Sequence, residues 1–258
     1  MPVDPNAFEI VTIPCLSDNY AFLIHSNQTG ETALVDAPEA APIRAELDRR
    51  GWTLSHILIT HHHGDHIDGV DGLRGNAQVI GGRDDAARLP ALDAAYGDGD
   101  SFGFAGHSVQ VMDVSGHTIG HIAFYLADAG AVFTADSLMA LGCGRLFEGT
   151  PAQMWKSLGK LAALPEETIV CSGHEYTATN GRFAVTVEPE NPDLQARIKD
   201  IADKRAKGIP TVPSTLALEK ATNPFLRAHL DSVKSNIDMP DASDADAFAE
   251  IRARKDRF

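Results

Sequence analysis

Residues 60–69 read THHHGDHIDG, which puts four histidines and one aspartate into positions 61–66. Imidazoles this close repel one another when protonated and form a poor apolar core, whereas a divalent cation favours neutral imidazole and ionised carboxylate at neutral pH. The apolar run HILIT at 56–60 precedes the cluster and is typical of a short buried strand. The segment therefore predicts a metal site at the end of a strand, in a fold that brings distant ligands to it.

The spacing HxHxDH has room for two metal ions. We expect His61 and His63 to serve one ion, in a loop that follows the strand. Asp65 and His66 are expected to serve a second, provided that later segments complete each set. His62 points the opposite way if the backbone is extended, so it is not expected to be a ligand. Further candidates stand at the ends of later strands, where an α/β scaffold gathers functional groups: His117 in SGHTIGH, Asp136 in FTADS and His174 in CSGHEY.

Two of these assignments have ordinary alternatives. For Asp136 taken alone, a helix N-cap or turn role is the natural interpretation, and only the other ligands favour a metal. Asp36 ends the run TALVD and is either a strand-end turn residue or a hydrogen-bond partner of a ligand. The isolated histidines are interpreted as ordinary polar residues: His25, His56, His107 and His229.

Apolar runs separated by turn residues dominate the first two-thirds of the chain and predict strands. These lie at 8–13, 20–25, 32–37, 56–60, 78–81, 108–114, 121–126, 131–135 and 168–173. A helix is predicted to close at Gly51, and another to begin with Thr150 as N-cap and Pro151 at its first position.

Beyond Tyr176 the pattern becomes helical. Leu194, Ile198 and Ile201 form an apolar stripe, and the final 15 residues, DADAFAEIRARKDRF, predict a terminal helix. The segment 209–226 is interpreted as a connection. We therefore expect an α+β protein with a metal-binding domain at 1–176 and a small, all-helical domain at 177–258.

Charge and composition exclude several classes of protein. The net charge of −14 over 258 residues argues against broad binding to nucleic-acid phosphates. No stretch approaches the ~20 apolar residues that span a bilayer, and the opening MPVDPNAFEI does not resemble a signal peptide. The three cysteines are far apart in sequence, which favours a reducing cytoplasm. We expect no membrane or nucleic-acid partner, and a monomer or weak oligomer.

Several motifs together resemble one family. THHHGDH, GHTIGHI, FTADSL, GCGRLFEG, CSGHEYT and PTVPSTL with NPFLR are similar to glyoxalase II, the hydroxyacylglutathione hydrolases of the metallo-β-lactamase superfamily. The resemblance implies an αββα sandwich with two metals at one sheet edge and a C-terminal all-helical domain at 177–258 that binds the substrate. It also implies hydrolysis of S-D-lactoylglutathione to D-lactate and glutathione, the second step of methylglyoxal detoxification.

The resemblance assigns each ligand to a metal. It implies a first ion on His61, His63 and His117, a second on Asp65, His66 and His174, and Asp136 bridging both. Nitrogen and oxygen donors without thiolate suit zinc, and also iron or manganese.

The expected nucleophile is a metal-bridging hydroxide rather than Cys143 or a serine. A bound dication lowers the pKa of water from about 15.7 to about 7, on the order of 12 kcal/mol in favour of hydroxide. This exceeds the few kcal/mol that one positioned general base supplies. Asp65 and Asp136 are interpreted as catalytic ligands that also orient this hydroxide.

The resemblance also implies contacts to the glutathione carboxylates. The expected residues are Arg145, Tyr176, Arg252 and Lys255. Without it, RARK at 252–255 would be interpreted as a solvated helix face. The family often has Lys where Arg145 stands, and some members have Tyr where this chain has Phe147, so recognition of the peptide is expected to differ in detail.

Two rival functions stay open from the sequence. One is a persulfide dioxygenase with a single iron, against which the second ligand set argues. The other is a non-catalytic metal-binding protein of the same fold, against which the completeness of the seven ligands argues.

Overall fold

A computed structural model describes residues 7–258, and the chain divides into two compact units. The first unit runs up to Asp113 and includes Ile119–Ala135, and the second comprises Val114–Thr118 and Asp136–Phe258. The opening residues MPVDPN, part of the stretch considered for a signal peptide, lie outside the described residues. The domain division proposed after residue 176 stays a prediction.

The first unit contains two sheets. Its strands are β1 Phe8–Cys15, β2 Asn19–Ser26, β3 Thr32–Val35, β4 Leu54–Leu58, β5 Gln78–Gly82, β6 Ala94–Tyr96, β7 Ser101–Phe104, β8 His107–Asp113, β9 Ile122–Leu126 and β10 Ala131–Ala135. One sheet has the order β1-β2-β3-β4-β5-β6, antiparallel up to β3 and parallel from β3 to β6. Strands β7 to β10 are consecutive antiparallel neighbours in the other.

Strand β2 is apolar on both faces because each face is covered. Phe22 on β2 makes an edge contact with Phe133 on β10, with ring centroids 5.7 Å apart. Leu23 points the other way, into a cluster with Ile43 and Leu47 of helix α1, Ala40–Arg50. As predicted, α1 closes at Gly51, whose φ of 69° lies in the left-handed region. Two sheets with a helix on the outer face of one therefore form this unit.

The second unit carries short strands and most of the helices. Its elements are β11 Leu138–Met139, β12 Gly142–Cys143, α4 Pro151–Ala162, β13 Ile169–Ser172, α5 Thr177–Val187, α6 Pro192–Ala206, β14 Ser214–Thr215, α7 Leu216–Thr222, α8 Asp231–Asn236 and α9 Asp244–Arg257. Helix α2 at Gly64–Ile67 and helix α3 at Val70–Leu73 belong to the first unit. Among residues 7–258, no helix combines the length and apolar content that crossing a membrane requires.

Two expectations from the sequence were wrong. Segment 209–226 is not only a connection, since it contains β14 and α7. Thr215 caps α7 by accepting a hydrogen bond from the Leu218 amide at 3.3 Å, and the residues LALEKA are good helix formers. The segment after His63 is not a loop either, because Gly64–Ile67 forms the helical turn α2.

Candidate metal centre

In the first unit, the tautomer of His61 is fixed by the residue before it. The buried Thr60 hydroxyl donates to Asp36 Oδ2 at 2.8 Å, and His61 Nδ1 lies 3.0 Å from the same hydroxyl. Because the only hydroxyl proton goes to Asp36, His61 Nδ1 carries a proton and donates it to Thr60 Oγ1. The lone pair of this imidazole is therefore on Nε2, the atom that would bind a metal.

Asp36 orients a second histidine. Its Oδ2 accepts a hydrogen bond from His66 Nδ1 at 2.8 Å, and its Oδ1 accepts one from the Thr60 amide at 2.9 Å. Asp36 has a φ of 56°, a left-handed conformation that costs a non-glycine residue on the order of 1 kcal/mol. Of the two interpretations of Asp36, the structure thus favours the hydrogen-bond partner. Ligand atoms of Asp36, His61 and His66 all lie within 4.8 Å of one another.

Within the motif, His61 and His63 face each other, and His62 points elsewhere, as expected. His61 Nε2 lies 3.2 Å from His63 Nδ1, so two ring nitrogens face each other with room for a proton or cation to be shared. His62 turns away and its Nδ1 lies 3.0 Å from Asp85 Oδ2. The helical turn α2 then presents Asp65 and His66 together, with 3.8 Å between Asp65 Oδ2 and His66 Nε2.

Asn19 holds Asp65 and was not identified from the sequence. The buried Asn19 Nδ2 donates to Asp65 Oδ2 at 2.9 Å and to the Asp65 carbonyl at 3.0 Å. The available signal was a polar residue at the first position of β2, ahead of the apolar run YAFLI. Thr60 was not identified from the sequence either, and its signal was a polar residue just before the first histidine. Its side chain is buried.

In the second unit, Asp136 lies between two imidazoles. Its Oδ2 is 3.4 Å from His117 Nε2 and 3.3 Å from His174 Nε2, and all three side chains are buried. His117 Nδ1 donates to the Arg145 carbonyl at 2.7 Å, so the lone pair of His117 is on Nε2. The structure therefore brings together the three candidate ligands that the sequence placed in three separate segments.

Close backbone packing around these ligands requires a glycine. A Cβ atom at Gly144 would lie 1.9 Å from the Asp136 carbonyl oxygen and 3.0 Å from His117 Nδ1. The Gly144 amide also donates to the Ser137 carbonyl at 3.1 Å. Only a residue without a side chain lets the loop that carries Arg145 approach Asp136 this closely.

The residues expected to bind substrate differ in exposure. Tyr176 is exposed and its ring stacks on His174, with centroids 4.7 Å apart. Arg252 is buried, and donates to the Cys143 carbonyl at 2.9 Å and to Asp256 Oδ1 at 3.0 Å.

Lys255 belongs to helix α9, and Arg145 lies beside Asp256 of the same helix. Lys255 Nζ lies 5.5 Å from the Phe183 ring centroid, and burial together with the charges of Arg252 and Arg182 lowers the pKa of its amine. The Arg145 guanidinium is exposed, with its Nε 3.5 Å from Asp256 Oδ1.

The donors in both units suit a divalent cation. Imidazole nitrogen and carboxylate oxygen are ligands that zinc, iron and manganese accept, and hydrogen bonds from Nδ1 to fixed acceptors are the usual way of orienting such imidazoles. The neighbouring thiol is unsuitable: burial raises the pKa of Cys143 to about 11. The side chains therefore fit metal binding and do not support a cysteine nucleophile.

Comparison with known proteins identifies the family. The model of the metallo-β-lactamase superfamily matches residues 17–174, and that of the hydroxyacylglutathione hydrolase C-terminus matches residues 175–258. The chain is 63% identical to a hydroxyacylglutathione hydrolase from Ruegeria pomeroyi over 252 residues, 97% of this chain and 99% of the relative. The chain belongs to the hydroxyacylglutathione hydrolase family. A hydroxyacylglutathione hydrolase from Roseobacter denitrificans is 64% identical over the same shares.

Family membership confirms the resemblance drawn from the motifs and, with it, the fold. The chain has the metallo-β-lactamase fold followed by the helical C-terminal region of hydroxyacylglutathione hydrolases. A crystal structure of ETHE1 from Myxococcus xanthus matches it with a TM-score of 0.66 at 26% identity, covering 95% of this chain and 89% of that one. The family and the histidine–aspartate clusters together indicate divalent metal binding.

Proposed function

We propose that the protein hydrolyses the thioester S-D-lactoylglutathione to D-lactate and glutathione, the second step of methylglyoxal detoxification. Family membership supplies the substrate class. The observation that carries the proposal for this chain is Asp136, whose Oδ2 lies within 3.4 Å of the Nε2 atoms of two buried histidines.

We further propose two divalent metal ions per chain, zinc in the first place, with iron or manganese as alternatives. His61, His63 and His117 would hold one ion, Asp65, His66 and His174 the other, and Asp136 both. When bound, such ions supply a nucleophilic water at neutral pH and stabilise negative charge on the carbonyl oxygen and the leaving sulfur.

The protein itself contributes by orienting the side chains that would bind the ions. Thr60, Asp36 and the Arg145 carbonyl each accept the Nδ1 proton of one histidine, which directs the Nε2 lone pair of each toward its ligand position. Asn19 fixes the Asp65 carboxylate from behind. The carboxylates of Asp65 and Asp136 then orient the attacking water by accepting its hydrogen bonds.

Recognition of glutathione is assigned to cations of the second unit. Lys255 and Arg145 bring positive charge to an otherwise acidic chain, and Tyr176 offers a hydroxyl beside His174. Arg252 already donates to Cys143 and Asp256, so it would act on a substrate carboxylate mainly through its charge. The lowered pKa of Lys255 is consistent with a cation whose charge an anionic ligand would stabilise.

We propose a cytoplasmic location and a monomeric or weakly associated state. Three buried thiols support a reducing compartment: Cys15, Cys143 and Cys171.

The test is an assay of purified protein with S-D-lactoylglutathione, following loss of thioester absorbance, alongside elemental analysis of metal per chain. We expect hydrolysis that disappears with a chelator and returns with Zn²⁺, and two metals per folded chain. Metal-loaded protein that leaves the thioester intact would overturn the proposed reaction. One iron per chain and no hydrolysis would instead favour the mononuclear dioxygenase.

A further inference from the structure

We propose that Asn223, Glu219 and Asn180 are positioning residues for the metal ligands Asp136 and His117. They contact neither ligand, and act through the buried hairpin β11–β12 that connects Asp136 to Arg145. The inference rests on the metal site of the proposed function, and assigns the helical C-terminal region a role beyond contacts with substrate.

The hairpin is an unusual structure that needs external support. Leu138 pairs with Cys143 and Met139 with Gly142, which leaves a two-residue turn at Ala140 and Leu141. Leu141 adopts a φ of 56°, a conformation that such turns normally fill with Asn, Asp or Gly. Every residue from 138 to 143 is buried, so backbone groups that the hairpin itself does not pair must find partners in the protein.

Three side chains satisfy those backbone groups. Asn223 Nδ2 lies 3.0 Å from both the Met139 and the Gly142 carbonyl oxygens. Asn180 Nδ2, on α5, donates to the Ala140 carbonyl at 3.0 Å.

The third side chain completes the set of contacts. Glu219 Oε2, on α7, accepts the Leu141 amide at 2.9 Å. All four residues 139–142 are thus held by side chains that lie 40 or more positions away along the chain.

The side chains of Glu219 and Asn223 are themselves held by further hydrogen bonds. Glu219 is fully buried, and its Oε1 accepts hydrogen bonds from Arg197 and from Ser214 Oγ. Asn223 is also fully buried, and its Oδ1 accepts the Phe225 amide at 3.0 Å. A buried ion pair such as Arg197–Glu219 adds little net stability, because desolvation offsets the attraction. We infer that its role is to fix the position of the Glu219 carboxylate.

The hairpin transmits this position to the ligands. Asp136 precedes β11 by two residues, and the arms are tied beyond the strands by the Gly144 amide on the Ser137 carbonyl at 3.1 Å. The next carbonyl, that of Arg145, orients His117 through its Nδ1 at 2.7 Å. Any shift of the turn therefore moves Asp136 and the acceptor behind His117 together.

The test compares Asn223→Ala with Asn191→Ala. Asn191 is a matched control, because its Nδ2 also donates to a carbonyl at 3.0 Å, that of Ala221, and its Oδ1 also accepts backbone amides, but it does not contact the hairpin. Folding stability is measured by urea denaturation of the metal-free proteins, Zn²⁺ affinity by competition with a chelator, and ligand geometry by the absorption spectrum of the Co²⁺-loaded proteins.

We expect Asn223→Ala to weaken Zn²⁺ binding by about 10-fold or more and to change the Co²⁺ spectrum, as loss of supporting hydrogen bonds behind metal ligands does. Asn191→Ala should lower folding stability but leave both metal readouts as in the wild type. If Asn223→Ala does not fold, Asn180→Ala, which removes one of the hairpin contacts, takes its place with the same expectation.

The outcomes separate the two proposals. Wild-type protein that binds no metal would overturn the proposed metal site. Wild-type protein that binds metal, with folded Asn223→Ala and Asn180→Ala showing wild-type affinity and spectrum, would overturn the positioning role alone. Equal weakening in Asn223→Ala and Asn191→Ala would also overturn it, since that result would reflect stability and not position.

Discussion

The acceptors behind the histidines determine how each imidazole presents its lone pair. A hydroxyl at Thr60, a carboxylate at Asp36 and a main-chain carbonyl at Arg145 each receive an Nδ1 proton. The candidate ligands and their spacing could be proposed from HxHxDH and the later strand ends, because these side chains have recognisable chemistry. The Arg145 acceptor was not, since a carbonyl has no signature in the sequence.

At the residue scale, Asp136→Ala should abolish measurable thioester hydrolysis and lower the metal content per chain. The change removes a carboxylate that lies beside both His117 and His174. Elemental analysis and the thioester assay on the folded variant check this. Asp128→Ala, which removes a carboxylate paired with His107, is the control and should keep both properties. Turnover of the Asp136 variant at the wild-type rate would refute its role.

Lys255→Ala should raise KM for the glutathione thioester far more than it lowers kcat. The substitution removes binding to a remote carboxylate that is the same in the ground and transition states. Steady-state kinetics of the variant give both constants. Lys199→Ala, which removes an equal charge from an exposed position of α6, should leave KM unchanged. An unaltered KM in the Lys255 variant would take glutathione recognition away from α9.

At the element scale, α4 was predicted from its local signals, whereas α7 was missed despite its Thr215 cap and α5 was missed for lack of such signals. Helix α4 begins as expected at Thr150 and Pro151, where Thr150 and Gln153 form a capping box. Helix α5 was missed because TATNGRFAVTV is rich in Thr, Val and Gly, which have low helix propensity. Burial of Phe183 and Ala184 stabilises it instead, and such contacts cannot be read from one segment.

Thr150→Ala should reduce the free energy of unfolding by about 1 kcal/mol. The hydroxyl accepts the Gln153 amide at 3.2 Å, and loss of a Thr N-cap typically has this effect. Urea denaturation followed by far-ultraviolet circular dichroism measures it. Thr179→Ala, at an exposed position of α5, is the matched control and should be neutral or slightly stabilising. Equal stability of the Thr150 variant and the wild type would show that the cap is dispensable.

At the scale of the whole molecule, the alternation of strands and helices was predictable, but the grouping of segments was not. Residues Val114–Thr118, which include His117, belong to the second compact unit although strands of the first unit flank them in sequence. Membership in a compact unit follows from long-range contacts, and no periodicity in SGHTIGH indicates it. The two family models meet between residues 174 and 175, whereas the second compact unit already begins at Asp136 and also includes Val114–Thr118.

Removal of metal should lower the thermal unfolding midpoint of the protein. A ligand that binds only the folded state stabilises it by about 2.7 kcal/mol at 100 times its Kd, which for a chain of this size corresponds to roughly 5–10 °C. Differential scanning calorimetry of chelator-treated and Zn²⁺-reconstituted samples provides the comparison. Coincident midpoints would mean that the donors do not bind the ion in the native state.

Residue 145 contributes its main chain and its side chain to two separate tasks. The carbonyl oxygen receives the His117 proton, while the guanidinium is exposed on the surface. An amino acid exchange at this position alters the outward group and leaves the inward one chemically identical. Substitutions at position 145 can therefore change how an anion is bound while the orientation of His117 is kept. Gly144 does not tolerate such changes, because any side chain there would clash with Asp136.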